Sequence, residues 1–487
     1  MITNKQLAVR LGQVADALGF PLPDDVVLLA DTVAAFTASG VTPSAEATYL
    51  LHSVVGGAIP VPADIVRLHR RWRLNGTPAA AAEAITRARS ISRWGTPAPV
   101  RIVSGIVVDV HDTAHTPFTT GIQRVVRSTV PLWTERHPLT FVAWDDIFTA
   151  PRGLDAAQHK LALGGRGVAF DGQHHGHILI PFRATVVLPE IAVDERRASR
   201  LQTIAAYSGS RSVAIGFDCI PVTTAETAGA GMPGGFARYL STLAAFDIVS
   251  PISGASGVEF SGWRGMLGGA GIIGPDVTVV DLPGQSAEHI DAEPSDALRA
   301  RLGIATDETV LLAVGSHEPR KNHLALLQAA ELAWRAGHEF TLVMVGGNSW
   351  DTAAFDRALT AATEERSRRI ITLSGADDAT VWGLYRTARF SLFPSLNEGF
   401  GLPIVESIAN GTPVITSGFG SMRELAEGFG GVLVDPRDEA SIAAAIIELL
   451  VDDARLEHLR AETALLPERS WDDYAADLWA AFSIETS

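Results

Sequence analysis

The sequence has little cysteine, little positive charge and no long apolar run. Its 487 residues contain one cysteine, Cys219, which excludes an internal disulfide framework and a cysteine-based zinc cluster and is typical of a reducing cytoplasm. The formal net charge of −16 argues against a sequence-independent nucleic-acid binder, because phosphate neutralisation requires a broad basic face. No apolar run approaches the roughly 20 residues that span a bilayer, and the first residues lack the apolar core of a signal peptide. We therefore expect a cytoplasmic protein.

The chain combines a high apolar content with a length that exceeds one ordinary core. Its residues are 47% hydrophobic, which suits buried parallel sheets and more than one domain. Alanine-rich helical patterns come first, and strands alternate with helices after a Pro/Gly-rich linker. The pattern predicts an α/β fold in which a helical extension precedes two Rossmann-like domains with doubly wound parallel sheets. The predicted boundaries are 1–96 for the extension, 94–100 for the linker, 97–285 and 286–469 for the two domains, 283–297 for an exposed hinge, and 470–487 for a terminal amphipathic helix.

Short apolar runs rich in β-formers predict the strands of the first domain. They lie within 100–110 and at 139–144, 167–171, 184–190, 212–218 and 246–252. In the extension, Thr42 is expected to cap a helix that starts at Pro43. The run DGQHHGH at 171–177 offers three histidines, but such closely spaced histidines on a loop seldom face one metal ion, so a polar loop is favoured.

The most informative stretch is PSLNEGFGLPIVESIANGTPVITS at 394–417, in which two glutamates flank a Gly-Phe-Gly loop. A strand should precede Glu398, and Pro403 suits the first turn of a helix that places Glu406 one turn further on. A carboxylate can accept paired hydrogen bonds from adjacent sugar hydroxyls, and Gly399 and Gly401 let backbone N–H groups approach a ligand closely. The helix N-terminus adds partial positive charge for a phosphate. The stretch therefore predicts a nucleotide-sugar site.

Upstream lies a pair of cations that suits the same ligand. The strand predicted at 309–314 leads into a turn at Gly315, and Arg320 and Lys321 stand at the opening of the next helix. Arginine offers a planar fork of donors and lysine a compact charge, which together can neutralise a departing diphosphate. The sequence contains no Asp-x-Asp motif to hold a divalent cation under a diphosphate, so we expect no metal and no other cofactor.

These segments resemble a retaining glycosyltransferase of the GT-B fold, family four. The matching residues are GSHEPRKN at 315–322, the run from 374 to 417 and VDP at 434–436, in the order and spacing of that family. The resemblance implies two Rossmann-like domains with a cleft between them, and the terminal helix crossing back onto the first. It also implies transfer of a hexose from a nucleoside-diphosphate sugar to a hydroxyl of a glycan or lipid-linked acceptor, most like enzymes of bacterial surface polysaccharide synthesis, some of them mannosyl- or rhamnosyltransferases.

The same resemblance implies a role for each matching residue. Glu398 would face the donor sugar, Glu406 would take the ribose hydroxyls, and Arg320 and Lys321 would hold the diphosphate. The remaining donor-binding residues implied are Gly315, Ser374, Gly375, Gly399, Phe400, Gly401 and Leu402 in the second domain, and Gly121 with Arg124 in a glycine loop of the first domain.

The chain departs from the family where many members carry His-Asp-x-x-Pro beside the donor sugar. Here the segment is FDCIP, with Phe217 in place of the histidine, followed by Asp218 and Pro221. Asp218 either points into the cleft as a catalytic group or caps a turn before Pro221. Without the histidine and without a metal motif, more of the catalysis is expected to rest on Glu398 and the Arg320/Lys321 pair.

Alternatives remain open for the function and for one basic segment. Glu398 and Glu406 could simply be solvated residues of a loop and of a helix face. The second hypothesis for the function is other GT-B chemistry, such as nucleotide-sugar epimerisation or phosphorolysis. The third is a nucleotide-sugar-binding protein that has lost its catalytic activity.

Seven arginines lie between Arg67 and Arg93, around an apolar face formed by Ile65, Leu68 and Trp72. This segment is either a packed helix with a solvated or paired polar side, which we favour, or a peripheral contact with an anionic membrane face.

Overall fold

A helical extension and two α/β domains, each built on one sheet, make up the chain. The structure, a computed structural model, describes residues 1–23, 28–94, 97–118, 120–164, 167–284, 292–347, 349–365 and 368–484, without the side chain of Trp94. Residues 285–291 of the hinge predicted at 283–297 lie outside these ranges, as do two residues of the linker predicted at 94–100.

The extension consists of four helices that pack on the first domain. They are α1 (Asn4–Ala17), α2 (Leu29–Ala38), α3 (Ala45–Gly56) and α4 (Pro62–Ile91), the last broken at Gly76. Thr42 does not cap α3 as expected: the Ser44 hydroxyl accepts a hydrogen bond from Ala47 N at 2.9 Å, so the helix begins later. Helix α3 lies at the centre, because its apolar residues are buried on all sides, and the Tyr49 hydroxyl donates to Pro181 O of the first domain at 2.8 Å.

The arginine-rich segment forms α4, and its apolar face is turned inward. Ile65, Leu68 and Trp72 are at most 2% exposed and belong to the core of the extension. Within the helix, Arg67 and Arg87 pair with Asp64, and Arg71 pairs with Glu83. The packed-helix alternative is therefore correct, and the apolar face that membrane contact required is not available. Within the described ranges, no helix combines the length and apolarity needed to cross a bilayer.

The first domain is built on a nine-stranded sheet with strand order β1-β5-β4-β3-β2-β6-β7-β8-β9. Its strands are β1 (Val100–Val103), β2 (Ile106–Asp109), β3 (Leu139–Trp144), β4 (Pro151–Gly153), β5 (Ile178–Pro181), β6 (Thr185–Leu188), β7 (Arg211–Gly216), β8 (Ile248–Pro251) and β9 (Asp276–Val277). Its helices are α5 (His111–His115), α6 (Gly121–Thr134), α7 (Ala156–Leu163), α8 (Glu195–Tyr207), α9 (Ile220–Thr223), α10 (Met232–Leu243) and α11 (Gly254–Gly269). Only β4 among these strands runs antiparallel to its neighbours.

Three features of this sheet differ from the sequence prediction. The run at 167–171 forms no strand, because Gly167 adopts a left-handed φ of 71° and the segment lines a cavity instead. The antiparallel β4 and the buried β5 were not predicted. The apolar run at 100–110 is two strands, separated at Ser104 and Gly105. The strands predicted near 139–144, 184–190, 212–218 and 246–252 are present as β3, β6, β7 and β8.

The second domain has a six-stranded, fully parallel sheet with strand order β12-β11-β10-β13-β14-β15. Its strands are β10 (Val310–Val314), β11 (Thr341–Val345), β12 (Arg369–Leu373), β13 (Phe390–Phe393), β14 (Val414–Ser417) and β15 (Gly431–Val434). The helices that follow are α12 (Ser295–Leu302), α13 (His323–Arg335), α14 (Ala353–Glu364), α15 (Asp378–Thr387), α16 (Leu402–Ala409), α17 (Gly420–Ala426), α18 (Glu439–Val451), α19 (Asp453–Thr463) and α20 (Trp471–Ala481). The inner strands are buried on both faces, as helices covering a parallel sheet require.

The terminal helix α20 leaves the second domain and packs on the first. Trp133 of α6 donates its indole N–H to Ala475 O at 2.9 Å, and Tyr474, Leu478 and Phe482 are buried in the same core. The crossing helix therefore completes the first domain, in the position that the resemblance implied.

The strand order of the second sheet fixes where a ligand site can form. The chain builds β11 and β12 on one side of β10 and then β13 to β15 on the other, so β10 and β13 are neighbours at the point where the order reverses. Crevices for ligands open at the carboxyl ends of strands at such a switch point. The loops that leave β10 and β13 there are the segments 315–322 and 394–401.

Candidate active site

Glu398 lies between the two cations at the switch point. Its Oε2 accepts from Arg320 Nη1 at 2.5 Å, and its Oε1 accepts from Lys321 Nζ at 2.7 Å. Arg320 also donates to Glu318 Oε1 at 2.6 Å and to Asn397 O at 2.9 Å. Local folding brings the three groups together, because the short turn at 319–321 ends at Asn322, whose left-handed φ of 59° directs the chain into α13.

The electrostatics of this cluster keep Glu398 ionised. Glu398 is only 8% exposed, and burial alone would raise the pKa of its carboxyl; Arg320 and Lys321 outweigh that effect and hold the pKa at about 2. The neighbouring carboxylates likewise raise the pKa of Arg320 despite its burial. The cluster therefore presents a fixed carboxylate together with two cations, one of which, Lys321, is further held over the ring of Phe393 at 4.7 Å.

Glu406 is held from both domains. It points from α16 toward α6, where Arg124 Nη1 donates to its Oε1 at 2.5 Å, while the hydroxyl of Tyr385 donates to its Oε2 at 3.1 Å. Burial and the adjacent Glu406 carboxylate raise the pKa of Tyr385 well above its ordinary value, so the phenol stays protonated and donates. Both oxygens of the residue assigned to the ribose are thus occupied, and one of them is bound by a side chain of the first domain.

The glycine loop after β13 forms the seam between the domains. Gly399 O accepts from Ser253 Oγ at 2.6 Å and from Ser256 Oγ at 2.9 Å, at the start of α11 in the first domain. A Cβ at Gly399 would lie 2.7 Å from Phe217 O, so only glycine permits this approach. Gly401 has a left-handed φ of 116° and precedes Leu402, the first residue of α16. The Phe400 ring is 5% exposed and packs in the core of the first domain together with Phe217.

Of the two roles that the sequence left open for Asp218, the structure shows the capping of a turn, and the catalytic role stays a prediction. Its Oδ1 accepts from Ile220 N at 3.0 Å and caps the turn of α9, while its Oδ2 would lie 3.0 Å from a Cβ at Gly399. Burial raises the pKa of Asp218 to about 6, although the nearby Arg320 lowers it. The carboxyl faces the glycine loop, and its pKa lies above the ordinary range of an aspartate. Phe217, in place of the family histidine, is buried and offers no polar group.

The other predicted residues lie on several loops around this cleft. Gly121 begins α6, and a Cβ there would meet nothing within 4 Å, so the space in front of it is open. Ser374 and Gly375 follow β12 and are exposed. Three residues after Gly375, Asp378 Oδ1 lies 3.9 Å from Arg124 Nη2. Gly315 follows the last residue of β10, and a Cβ there would lie 3.5 Å from Lys321 Cδ.

A buried ion cluster supports the first-domain side of the cleft. Arg197 is 1% exposed and donates to Asp109 Oδ1 at 2.9 Å and to Glu190 Oε1 at 2.6 Å. Glu190 in turn accepts from the backbone of Asp112 and Thr113 at 2.7 and 3.0 Å, and so fixes the start of α5. Burial raises the pKa of Glu190 to about 7 while Arg197 opposes the shift. The cluster anchors the segment that leads to Gly121.

Several residues of the site were missed by reasoning from the sequence. Glu318 and Tyr385 lie within segments that matched the family, but neither has a distinctive spacing. Ser253 and Ser256 follow the carboxyl end of β8, and the N-cap pattern that Ser253 forms with Ser256 N was a usable signal. That these serines reach across to Gly399 depends on the packing of the domains.

Known proteins match the second half of the chain and its overall fold. Residues 294–464 match the family described as Glycosyl transferases group 1. O-antigen chain mannosyltransferase B of Escherichia coli is 32% identical over 203 residues, which cover 41% of this chain and 52% of that protein. A D-inositol 3-phosphate glycosyltransferase of Thermobispora bispora is 37% identical over 210 residues, covering 42% and 49%. The chain thus spans about half the length of the curated relatives it matches.

Solved structures extend the similarity to both α/β domains. Anabaena Alr3699/HepE, solved in complex with UDP and glucose, superposes with a TM-score of 0.55 at 16% identity, over 78% of this chain and all of that one. Sucrose-phosphate synthase of Thermosynechococcus elongatus gives a TM-score of 0.53 at 17% identity, over 78% and 98%. At such identities the likeness concerns the fold alone. This chain therefore carries a glycosyltransferase group 1 domain at residues 294–464 within a GT-B fold.

Proposed function

We propose that the protein is a retaining glycosyltransferase that moves a hexose from a nucleoside-diphosphate sugar to a hydroxyl of a glycan or glycoconjugate. The observation that carries this proposal is the ionised Glu398 clamped by Arg320 and Lys321 at the switch point of the second sheet. Two cations suit a diphosphate, and a carboxylate at the glycine loop suits the hydroxyls of the sugar attached to it.

The proposed reaction requires charge stabilisation more than proton abstraction by the protein. As the bond between the sugar C1 and the diphosphate oxygen breaks, negative charge grows on that oxygen, and Arg320 and Lys321 stabilise it. The acceptor oxygen attacks C1 from the same face and passes its proton to the leaving oxygen. No protein base is then needed, which agrees with an apolar Phe217 where the family has histidine. We propose that transfer proceeds without a metal ion, so that EDTA leaves the rate unchanged.

The relatives guide the choice of substrates. The name of the Escherichia coli relative is that of an enzyme of O-antigen chains, which favours a polysaccharide acceptor and a role in bacterial surface glycan synthesis. The relatives named D-inositol 3-phosphate glycosyltransferase favour a small phosphorylated polyol instead. The chemistry of the cleft on the donor side is the same in both cases, so an acceptor panel must decide between them.

The donor is identified first, by thermal shift with UDP-, GDP- and dTDP-sugars, since a ligand that binds the native state raises its melting temperature. Transfer is then measured with Glu398→Gln and Lys321→Ala, both of which we expect to lose at least 100-fold in rate while keeping the fold, because a charged hydrogen bond in such a site is worth about 3 kcal/mol. Glu331→Gln is the matched control, since Glu331 also pairs with two arginines, Arg335 and Arg368, but lies outside the cleft.

Three outcomes would contradict the proposal. Near-normal turnover in both cleft variants would remove the assignment of the site. Donor turnover that needs only phosphate or water would favour a phosphorylase or an epimerase, and tight donor binding without transfer to any acceptor would favour a decayed binding protein.

A further inference from the structure

A second cavity lies in the first domain, at the edge of its sheet opposite the cleft. It has a volume of about 620 Å³, within the range of roughly 300–1,000 Å³ typical of ligand pockets. Ile106 and Leu139, the first residues of β2 and β3, line it, whereas Gly121 and Asp218 follow the carboxyl ends of strands in this sheet. The cavity is thus separated from the transfer site by the length of the strands.

One wall of the cavity is the histidine-rich turn at 172–177, and it is firmly attached. A Cβ at Gly153 would lie 2.2 Å from His174 O, so the turn packs directly on the backbone of β4. Gly153 N donates to His177 O at 3.2 Å, and within the turn His175 N donates to Gly172 O at 3.1 Å. The sheet therefore holds this wall in place. The DGQHHGH motif at 171–177, predicted to be a polar loop, has a defined position on β4.

Three histidines around the cavity, His137, His159 and His174, have lowered pKa values. Burial lowers the pKa of His137 and of His174, with help from nearby arginines, and burial also lowers the pKa of His159. A neutral imidazole carries one donor and one acceptor nitrogen, the same combination that a hydroxyl group offers. The Nδ1 atoms of His137 and His174 are buried and have no hydrogen-bond partner within the part of the chain that the structure describes.

An aromatic face and further polar groups complete the lining. The Phe170 ring is 41% exposed, although it contacts the ring of His159 at a centroid distance of 5.4 Å. Asp171 supplies an acceptor and Arg101 a set of donors on the same cavity. A flat apolar ring beside planar polar groups matches a sugar ring, which has an apolar face and a rim of hydroxyls.

Other ligand classes fit this lining less well. Among the described residues, no cluster of three or more His, Cys, Asp and Glu side chains could hold a metal ion. Among the described residues of the wall, Arg101 is the one arginine, and a phosphate would also lie beside the carboxylate of Asp171. A ligand that is neutral and rich in hydroxyls uses every group present.

We propose that this cavity is a carbohydrate-binding site, separate from the transfer site, that holds a neutral hexose oligosaccharide such as a distal segment of a glycan chain. Phe170 provides the stacking platform and Asp171 binds the hydroxyls, with His137 and His174 on the cavity wall. Binding at this site does not depend on the transfer chemistry, so the proposal stands or falls separately from the function proposed above.

The first test is a calorimetric titration of the full chain with mannotetraose, maltotetraose and β-1,4-galactotetraose, in the presence of saturating nucleoside diphosphate. We expect at least one tetrasaccharide to bind, and Phe170→Ala to weaken that binding about fivefold to tenfold, as the loss of about 1–1.5 kcal/mol of ring contact predicts. Asp171→Asn should weaken it independently. Phe20→Ala, which removes a ring of similar exposure on the extension, is the control and should bind normally.

The second test separates this cavity from an acceptor bound in the cleft. Phe170→Ala should raise KM for a tetrasaccharide acceptor while leaving kcat, the KM for a monosaccharide glycoside and the thermal shift by the donor unchanged. No tetrasaccharide binding to the wild type, or equal binding to the wild type and to both cavity variants, would overturn the proposal. Loss of transfer in Glu398→Gln without change in tetrasaccharide binding would leave it intact.

Discussion

Arg124 is expected to change partners when the donor binds, and this can be tested by its removal. It joins the domains by donating to Glu406, the residue that the family resemblance predicts to bind the ribose. We expect a ribose that binds both oxygens of Glu406 to compete with this guanidinium, and we expect the diphosphate of the donor to attract it instead. A nucleoside without phosphates must displace Arg124 and offers no compensation.

The structure sets the size of the expected effect. The Glu406 side chain is 7% exposed and that of Arg124 is 26% exposed, so the pair is largely but not completely shielded from water. A hydrogen bond between charged groups in such a setting is worth about 1.5–3 kcal/mol, which corresponds to about 10- to 150-fold in a dissociation constant. The Arg124→Met variant should therefore bind the nucleoside more tightly, and the ratio of nucleoside to nucleoside-diphosphate dissociation constants should fall about tenfold or more.

Isothermal titration of wild type and Arg124→Met with the preferred nucleoside diphosphate and with its nucleoside measures this ratio. Arg136→Met is the control, because Arg136 follows the same helix and forms an exposed ion pair with Asp472 at 3.3 Å, of a kind that contributes about 0–1 kcal/mol. An unchanged ratio in Arg124→Met would refute the exchange of partners. A loss of affinity for the nucleoside itself would show that Arg124 supports Glu406 and does not compete with the ribose.

Three further perturbations test the surrounding structure. Arg197→Met should lower the free energy of unfolding of the first domain by about 3–5 kcal/mol in denaturant titration, because two buried carboxylates lose their counterion; a loss below 1 kcal/mol would contradict this. The carboxyl of Asp218 binds protons more tightly in the folded protein, because its pKa of about 6 exceeds the unfolded value near 3.9. Its contribution to the free energy of unfolding is therefore lost as the pH rises from about 4 through about 6. Asp218→Asn should remove that loss from melting curves measured across this pH range. An identical pH dependence in both proteins would argue against the raised pKa. Gly399→Ala should cut kcat/KM at least tenfold with the fold intact, because the new methyl group meets Phe217 O; wild-type kinetics would show that the seam can open freely.

The arrangement of Glu398, Arg320 and Lys321 could be predicted from the sequence because its geometry is local. The position of Glu398 is set by elements next to it in the sequence, namely a buried strand, a glycine turn and a helix that starts with proline. The strand order then brings the loop that carries Arg320 beside it. Parallel strands also leave a clear signal, since burial on both faces demands a continuous apolar run. These features depend on short stretches of chain and on general rules of sheet packing.

Contacts between distant segments could not be predicted in this way. The pairing of Arg124 with Glu406 joins residues 282 positions apart, and the bond from Ser253 to Gly399 spans 146. The antiparallel β4 has three residues, too few for a periodic pattern, and the apolar run near Phe170 was expected to be a strand although it lines a cavity. An apolar side chain is expected to be buried, but its apolar character does not show whether a strand, a helix or a ligand buries it.

The position of α20 has a consequence for biosynthesis. The apolar face of α6 includes Val125, Val130 and Trp133 and packs against α20, which lies more than 300 residues further along the chain. The first domain therefore leaves the ribosome incomplete and reaches its final core only after the whole second domain has been translated, although domains otherwise tend to fold in order of synthesis. Chimeras that exchange the second domain must keep α20 with the first, and the exposed face of α6 makes the nascent chain a client for chaperones until then.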